Sequence, residues 1–269
     1  MMNRNKKTAR EVRKPFLQGD VIDEKTIRNC LTFFGIMIMV IFISFIVCAA
    51  ATFSSFILRL LMNSAVIIVL LMIFYHKGSG HGTDAVARGE ILYQKQEKGQ
   101  TFSESERKMC FHPMKGFVTG ALGTLPFLIA ALILALNTSV QMTQAGGLPS
   151  WMQAYLRRDD IGNALVSYTQ PETMALADYL RAVIRIVILP FVNIVSYENK
   201  TGMVLLERLS PVIMLLPAIA YGAGYVKGKS IRTKIHTVIS ENDRKRIRRE
   251  KKRSTRAGNP RKREPEQLN

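Results

Sequence analysis

Four long runs of apolar residues constrain this sequence more than any other feature. Residues 31–51 and 116–136 each contain 21 residues without a charge, 209–226 contains 18, and 56–75 contains 20 with Arg59 as the single charge. The hydrocarbon core of a bilayer is about 30 Å thick and needs roughly 20 apolar residues in a helix. Helices that are apolar on all sides are rare in a small soluble domain. The sequence therefore predicts an all-α integral membrane protein, a small polytopic helical bundle with four transmembrane helices at these positions.

A fifth apolar segment covers residues 182–197. It has only 16 residues and contains both Arg185 and Pro190. Segments of this length are more typical of interfacial or re-entrant elements than of spanning helices. We predict such an element on the outer side, and a bundle of five spans is the alternative.

The distribution of basic residues predicts the orientation. Residues 1–29, 76–115 and 227–269 together contain 31 of the 38 Lys and Arg residues. Lys and Arg collect in the cytoplasmic segments of membrane proteins. We therefore predict a multi-pass protein of the cell (cytoplasmic) membrane with both termini in the cytoplasm.

This orientation divides the chain into seven parts. They are a basic cytoplasmic arm (1–29), a transmembrane helical hairpin (30–75), a cytoplasmic loop with short helices (76–115), a transmembrane helix (116–136), an extracytoplasmic segment with interfacial helices (137–208), a transmembrane helix (209–226) and a polybasic cytoplasmic tail (227–269). Within the loop, the glycines of 78–82 predict a flexible exit from the bilayer. A helix is expected to stop at Gly99, and Ser103 with Glu106 predicts a capping box.

Small residues recur at every fourth position in two of the predicted spans. This spacing lets two helix backbones approach closely in a membrane, so it predicts packing between these spans or between copies of the protein. The residues are Gly116, Gly120, Thr124, Ala218, Gly222 and Gly224.

The tail combines an apolar stripe with a dense basic cluster. Ile231, Ile235 and Ile239 lie at intervals of four, which predicts a helix along the inner membrane surface. Eight of the ten residues in 244–253 are Lys or Arg. Such residues gain roughly 1 kcal/mol per charge near an anionic leaflet. The predicted lipid-binding residues are Lys227, Lys229, Arg232, Lys234, Arg244, Lys245, Arg246, Arg248, Arg249, Lys251, Lys252 and Arg253. Contact of the tail with nucleic acid or a ribosome is the alternative.

Catalytic and metal-binding patterns are weak in this sequence. His76, His81 and His112 share the cytoplasmic loop with Cys110, but no Cys-x-x-Cys or His-Glu-x-x-His spacing is present. We expect no metal and no cofactor. A membrane enzyme that uses these three histidines is one alternative function.

Arg59 and Asn63 lie four residues apart near the outer end of the second span. They define the other alternative, a transport or membrane-insertion subunit with a polar groove at these residues. Our leading prediction is a non-enzymatic accessory or scaffold component of a membrane complex. Its expected partners are the anionic lipid bilayer through the tail, and a membrane protein or further copies of the chain.

Overall fold

A computed structural model of the chain describes residues 12–50, 55–138, 155, 158, 160, 176–197 and 199–257, with the side chains of 49, 50, 176, 177 and 252–257 excepted. These ranges form α-helices and no strand. The helices are α1 (Glu24–Ala50), α2 (Phe56–Glu97), α3 (Glu104–Lys108), α4 (Lys115–Asn137), α5 (Leu176–Val187), α6 (Leu189–Val195) and α7 (Lys200–Ala257). Most of the predicted extracytoplasmic segment, residues 139–175, lies outside the described residues apart from three isolated positions.

Four of these helices, α1, α2, α4 and α7, are long and apolar enough to cross a membrane. This confirms the prediction of an all-helical protein with four such helices. Helices α2 and α7 contain 42 and 58 residues. At a rise of 1.5 Å per residue they are about 63 and 87 Å long. Both are at least twice as long as a bilayer core requires, so each extends well beyond its apolar segment.

Local sequence signals fix several helix ends. Helix α1 begins after Asp23, whose carboxylate accepts a hydrogen bond from the Thr26 N–H at 2.6 Å. Asp is among the preferred N-cap residues because it satisfies a free N–H group of the first turn. The capping box predicted for Ser103 and Glu106 is confirmed at the start of α3. Helix α2 ends at Glu97, and the following Gly99 has a left-handed φ of 70°.

Helix α7 is the centre of the bundle. It packs along α2 and along α4, whereas α1 packs mainly on α4 and barely contacts α2. Three buried aromatic rings join these helices: Phe33 lies 4.9 Å from Phe74 and 5.3 Å from Tyr221, between ring centroids. Aromatic pairs at such distances contribute about 0.5–1.5 kcal/mol beyond the burial of their area.

Helix α6 lies between α1 and α2. Helix α5 packs on α4, and α6 packs on α2 and α1. Ile184, Ile188 and Val192 are all buried in the main core. The chain changes direction at Ile188, where the helix breaks and Pro190 lies in the first turn of α6. An apolar cavity of about 70 Å³ remains beside α6, between Phe191 and the α2 and α7 side chains.

The chain between residues 76 and 98 differs from the prediction. The expected flexible exit at 78–82 is wrong, because α2 continues through these glycines to Glu97. The tail also differs, since its residues up to Ala257 continue α7 and do not form a separate surface helix. Close packing on α7 supports the continuous helix through 78–82, which the local sequence does not predict, and α2 in turn accompanies α7 as far as His236.

Candidate functional site: the α2–α7 stalk

Where α2 and α7 leave their apolar segments, residues 76–97 of α2 and 221–240 of α7 run together, and we call this pair the stalk. Glycines line this contact, and because they have no side chain the two backbones can approach closely. A Cβ atom at Gly78 would overlap the carbonyl oxygen of Tyr221, and one at Gly82 would overlap that of Tyr225. On α7, a Cβ at Gly224 would overlap the carbonyl oxygen of Tyr75. The contact is the small-xxx-small packing of membrane helices, continued out of the apolar region.

A buried charge cluster fixes the far end of the stalk. The Glu90 side chain of α2 accepts a hydrogen bond from Arg232 Nε at 2.9 Å, and its other oxygen lies 2.8 Å from His236 Nε2. Glu90 is 5% exposed and His236 is 7% exposed. Removing one member of such a buried pair leaves an uncompensated charge, which is strongly destabilising. The cluster therefore holds α7 in one register against α2.

The arm and the loop pack on the stalk and form a second core. The Phe111 ring stacks on the buried Tyr225 ring of α7 at 5.4 Å between centroids, and Phe16 packs edge-on against Phe111 at 6.0 Å. The backbone N–H of Leu17 donates to the Gly89 carbonyl, and that of Gly19 donates to the Phe111 carbonyl, each at 3.1 Å. The arm is thus anchored to α2 by main-chain contacts that its basic composition did not predict.

Lys115 connects the arm to the loop and to the start of α4. Its ammonium lies 3.2 Å from an Asp23 carboxylate oxygen. It also donates to the carbonyl oxygens of Lys108 at 2.8 Å and Cys110 at 3.1 Å. Both members of the ion pair are nearly buried. Buried charges of this kind are tolerated because they are paired and fully hydrogen-bonded.

The three loop histidines are not brought together. His81 Nδ1 lies 2.6 Å from the hydroxyl of Tyr221, within the stalk contact. His112 Nδ1 accepts from the Met114 N–H at 3.3 Å, and His76 is exposed. Among the residues that the structure describes, no group of three His, Cys, Asp or Glu side chains is arranged to hold a metal ion.

The predicted packing residues lie at two different contacts. Gly120 of α4 faces Ala218, where an added Cβ would approach the Ala218 Cα to 2.8 Å. Gly116 lies against Tyr225 and Gly222, and Gly222 packs on the ring of Phe117. Gly224 instead faces α2. The buried Thr124 turns its hydroxyl to the Gly120 carbonyl of its own helix, at 3.1 Å.

Arg59 and Asn63 lie near the N-terminal end of α2. Asn63 is buried, and its amide donates to the Arg59 carbonyl at 2.7 Å. Its side-chain oxygen lies 3.5 Å from both Cys48 Sγ and Asn193 Nδ2, so the side chain joins α2 to α1 and α6. The Arg59 guanidinium lies 5.9 Å from the centre of the Phe56 ring.

A second charge cluster, near the N-terminal end of α7, was missed by the sequence analysis. Glu207 is 2% exposed and accepts hydrogen bonds from Arg185 at 2.6 and 2.9 Å. Its other oxygen accepts from Arg181 at 3.2 Å and from the Thr138 hydroxyl at 3.3 Å. Arg181 also pairs with Asp178 at 2.8 Å. The sequence did contain a signal for this cluster. Arg181 and Arg185 lie at the edge of and within an apolar segment, and charged residues in that position need an anion nearby.

The predicted tail residues have different surroundings. Lys229 lies over the Phe16 ring at 5.3 Å, and Arg232 pairs with Glu90. Lys227 and Lys234 are exposed. The exposed distal residues are Arg244, Lys245, Arg246, Arg248, Arg249 and Lys251. The side chains of Lys252 and Arg253 lie outside the described residues.

Comparison with protein-family models, with curated proteins and with solved structures found no match to this chain.

Proposed function

We propose that the protein is a non-enzymatic scaffold component of a membrane complex, in which the stalk holds the basic tail in the cytoplasm. The observation that carries this proposal is the continuation of α2 and α7 as a close pair beyond their apolar segments. Glycine contacts and the buried Glu90 cluster make that pair one unit with the bundle. A helix pair of this kind suits the presentation of a surface at a set distance from a membrane.

The proposal includes four spans with both termini in the cytoplasm of the cell. Its support is the concentration of 31 of 38 basic residues in the arm, the loop and the tail. The contacts of the arm and the loop with the stalk agree with a common compartment for all three. In this arrangement the connection between α1 and α2 lies outside.

We propose further that residues 182–197 form a re-entrant element that enters from the outer side. The helix break at Ile188 and the burial of Ile184 and Val192 support this over a fifth span. Non-helical backbone within a membrane is tolerated where protein surrounds it. Glu207 neutralises the Arg residues that this element brings with it.

Of the predicted lipid-binding residues, we retain Lys227 and Lys234 as contacts with anionic headgroups. Both are exposed and lie within about 12 Å of the inner end of the predicted fourth span, measured along the helix. Attraction to an anionic leaflet falls off over about a Debye length of 8–10 Å.

We propose neither the polar groove nor the histidine enzyme, since Asn63 is buried in helix contacts and the histidines do not converge.

Affinity purification from native membranes tests the scaffold proposal. We expect a protein partner at a fixed ratio with the wild-type chain. Gly82→Leu places a side chain against the Tyr225 carbonyl and should lose this partner while the chain remains in the membrane. Gly80→Leu is the matched control, because no atom lies within 4 Å of a Cβ built there. Absence of any partner at a fixed ratio, or solute flux through vesicles that contain the purified chain, would contradict the proposal.

A further inference from the structure

The last part of α7 projects away from every other described element. Ser240 and Glu241 are half-buried, and residues 242–251 are exposed on all sides of the helix. Measured from Val226 at 1.5 Å per residue, Arg244 lies about 27 Å along the helix and Lys251 about 38 Å. We call residues 242–251 the basic helix.

The basic side chains of this helix cover one side of it and leave the other side to different residues. With 100° per residue, its six basic residues cover an arc of roughly 220°. Asp243, Ile247 and Glu250 occupy the remaining side. The ion pair of Arg246 with Glu250 at 3.7 Å is exposed and contributes little. The basic residues are Arg244, Lys245, Arg246, Arg248, Arg249 and Lys251.

The concentration of basic residues on this side of the helix is not explained by an effect on membrane orientation or by lipid binding. Lys and Arg residues orient a protein when they lie within about 15–20 residues of a span, and Arg248, Arg249 and Lys251 lie further away than that. Their distance from Val226 along the helix is about three to five times a Debye length of 8–10 Å. A helix that lies on a membrane also needs an apolar face, and Ile247 is the only large apolar residue in this segment.

We propose that the basic helix binds duplex DNA, with the phosphates on both walls of the major groove as its ligands. An α-helix with side chains is about 10–12 Å wide, and the major groove of B-DNA is about 12 Å wide. Basic residues over 220° of the surface reach both walls at once, while the side with Asp243 and Glu250 faces outward. Because the segment is exposed all round, no other element that the structure describes blocks entry into the groove.

Other polyanions fit these observations less well. The major groove of A-form RNA is too narrow to admit a helix. Single strands bind through stacking on aromatic side chains, and residues 227–257 contain no Phe, Tyr or Trp, while His236 is buried against Glu90. An acidic protein would leave Ile247 as the only apolar residue at the centre of the interface, whereas protein interfaces have an apolar core.

Fluorescence anisotropy with the full-length chain in neutral detergent tests this proposal. The probes are a 20-bp DNA duplex and an RNA duplex of the same sequence. We expect tighter binding to DNA, and a loss of roughly a thousand-fold in affinity between 50 and 200 mM salt for about six phosphate contacts. Equal or tighter binding to the RNA duplex would overturn the assignment.

Charge variants locate the binding surface. Changing the six basic residues to Gln should lower DNA affinity at least roughly 100-fold at low salt. The matched control removes six positive charges elsewhere and should bind within a few-fold of wild type; it changes Arg4, Lys6, Lys7, Arg10, Lys14 and Lys98 to Gln. An equal loss in both variants would mean that net charge alone drives binding, and unchanged binding in the six-Gln variant would place the DNA elsewhere. Either result overturns the proposal.

A second pair of variants tests the groove. Ile247→Pro keeps every charge but breaks the helix, whereas Ile247→Ala keeps the helix. We expect Ile247→Pro to lose the preference for DNA over RNA and Ile247→Ala to retain it. A preference that survives the proline would contradict insertion of a helix.

The DNA proposal rests on the proposed function only in requiring the tail to be in the cytoplasm. If the chain has a partner protein at a fixed ratio but no affinity for DNA, only the DNA proposal fails. If it binds DNA through the basic helix but has no partner, only the scaffold proposal fails.

Discussion

At the scale of single residues, buried charges join parts of the chain that are far apart in sequence. Glu90, Lys115 and Glu207 are each nearly buried, and each pairs with a residue of another element or of the arm. The sequence identified Arg185 as an obstacle to a fifth span, but not Glu207 as its partner. Partner choice depends on how the helices pack, and a single sequence does not contain that information.

Glu207→Gln should destabilise the protein by about 3 kcal/mol, because it leaves Arg181 and Arg185 without their buried anion. Thermal unfolding in detergent, followed by circular dichroism, measures the loss. Glu104→Gln is the control, since Glu104 is exposed and its pair with Lys108 is worth at most about 1 kcal/mol. A further Arg185→Gln change should recover part of the stability by removing an unpaired charge. Equal melting of the Glu207 and Glu104 variants would contradict the role of this cluster.

Cys110 should react slowly with thiol reagents in the folded protein. Its side chain is fully buried, and burial raises the pKa of the thiol, so the thiolate fraction at neutral pH is reduced. The labelling rate should increase as the pH rises toward that higher pKa, and it should increase much more after denaturation. Mass spectrometry of Cys110-containing peptides after alkylation measures both. Complete labelling of the native protein at neutral pH would be inconsistent with this packing.

At the scale of helices, glycine can weaken or support a helix, depending on what packs against it. The glycines at 78 and 82 were interpreted as a flexible exit because isolated glycines weaken a helix. In the structure they lie inside α2, where close contact with α7 more than offsets that weakness. The four-residue spacing that predicted packing in the third and fourth spans is present here too, so this contact could have been predicted from the sequence.

Gly224→Leu should destabilise the α2–α7 contact by about 1–3 kcal/mol, since the new side chain meets the Tyr75 backbone. Hydrogen exchange of residues 229–240 should become faster. Gly35→Leu on α1 is the matched control, because a Cβ there meets no atom within 4 Å. Because leucine has a higher helix propensity than glycine, the Gly35→Leu variant should be as stable as the wild type or slightly more stable. Similar exchange in both variants would show that the glycine contact does not hold the stalk.

At the scale of the whole molecule, the sequence predicted the helical class and four helices able to span a membrane, because those depend on composition and length alone. It did not predict the second core around Phe111 and Tyr225 or the anchoring of Leu17 on Gly89. These contacts join segments that have no distinctive hydrophobic or charge pattern. They meet because the packing of the long helices brings them together, and a single sequence does not show that packing.

The orientation of the molecule provides the last prediction. A reporter active only in the cytoplasm and fused after Asn269 should be active, whereas the same reporter inserted after Arg158 should be inactive. The reason is energetic: a Lys or Arg at the centre of a membrane helix costs about 2.5–3.5 kcal/mol, and the tail alone carries sixteen. A further insertion after Gly99 should be active, since the loop packs on the same stalk as the tail. Activity after Arg158 together with inactivity after Asn269 would invert the orientation and place the basic helix in the wrong compartment for DNA.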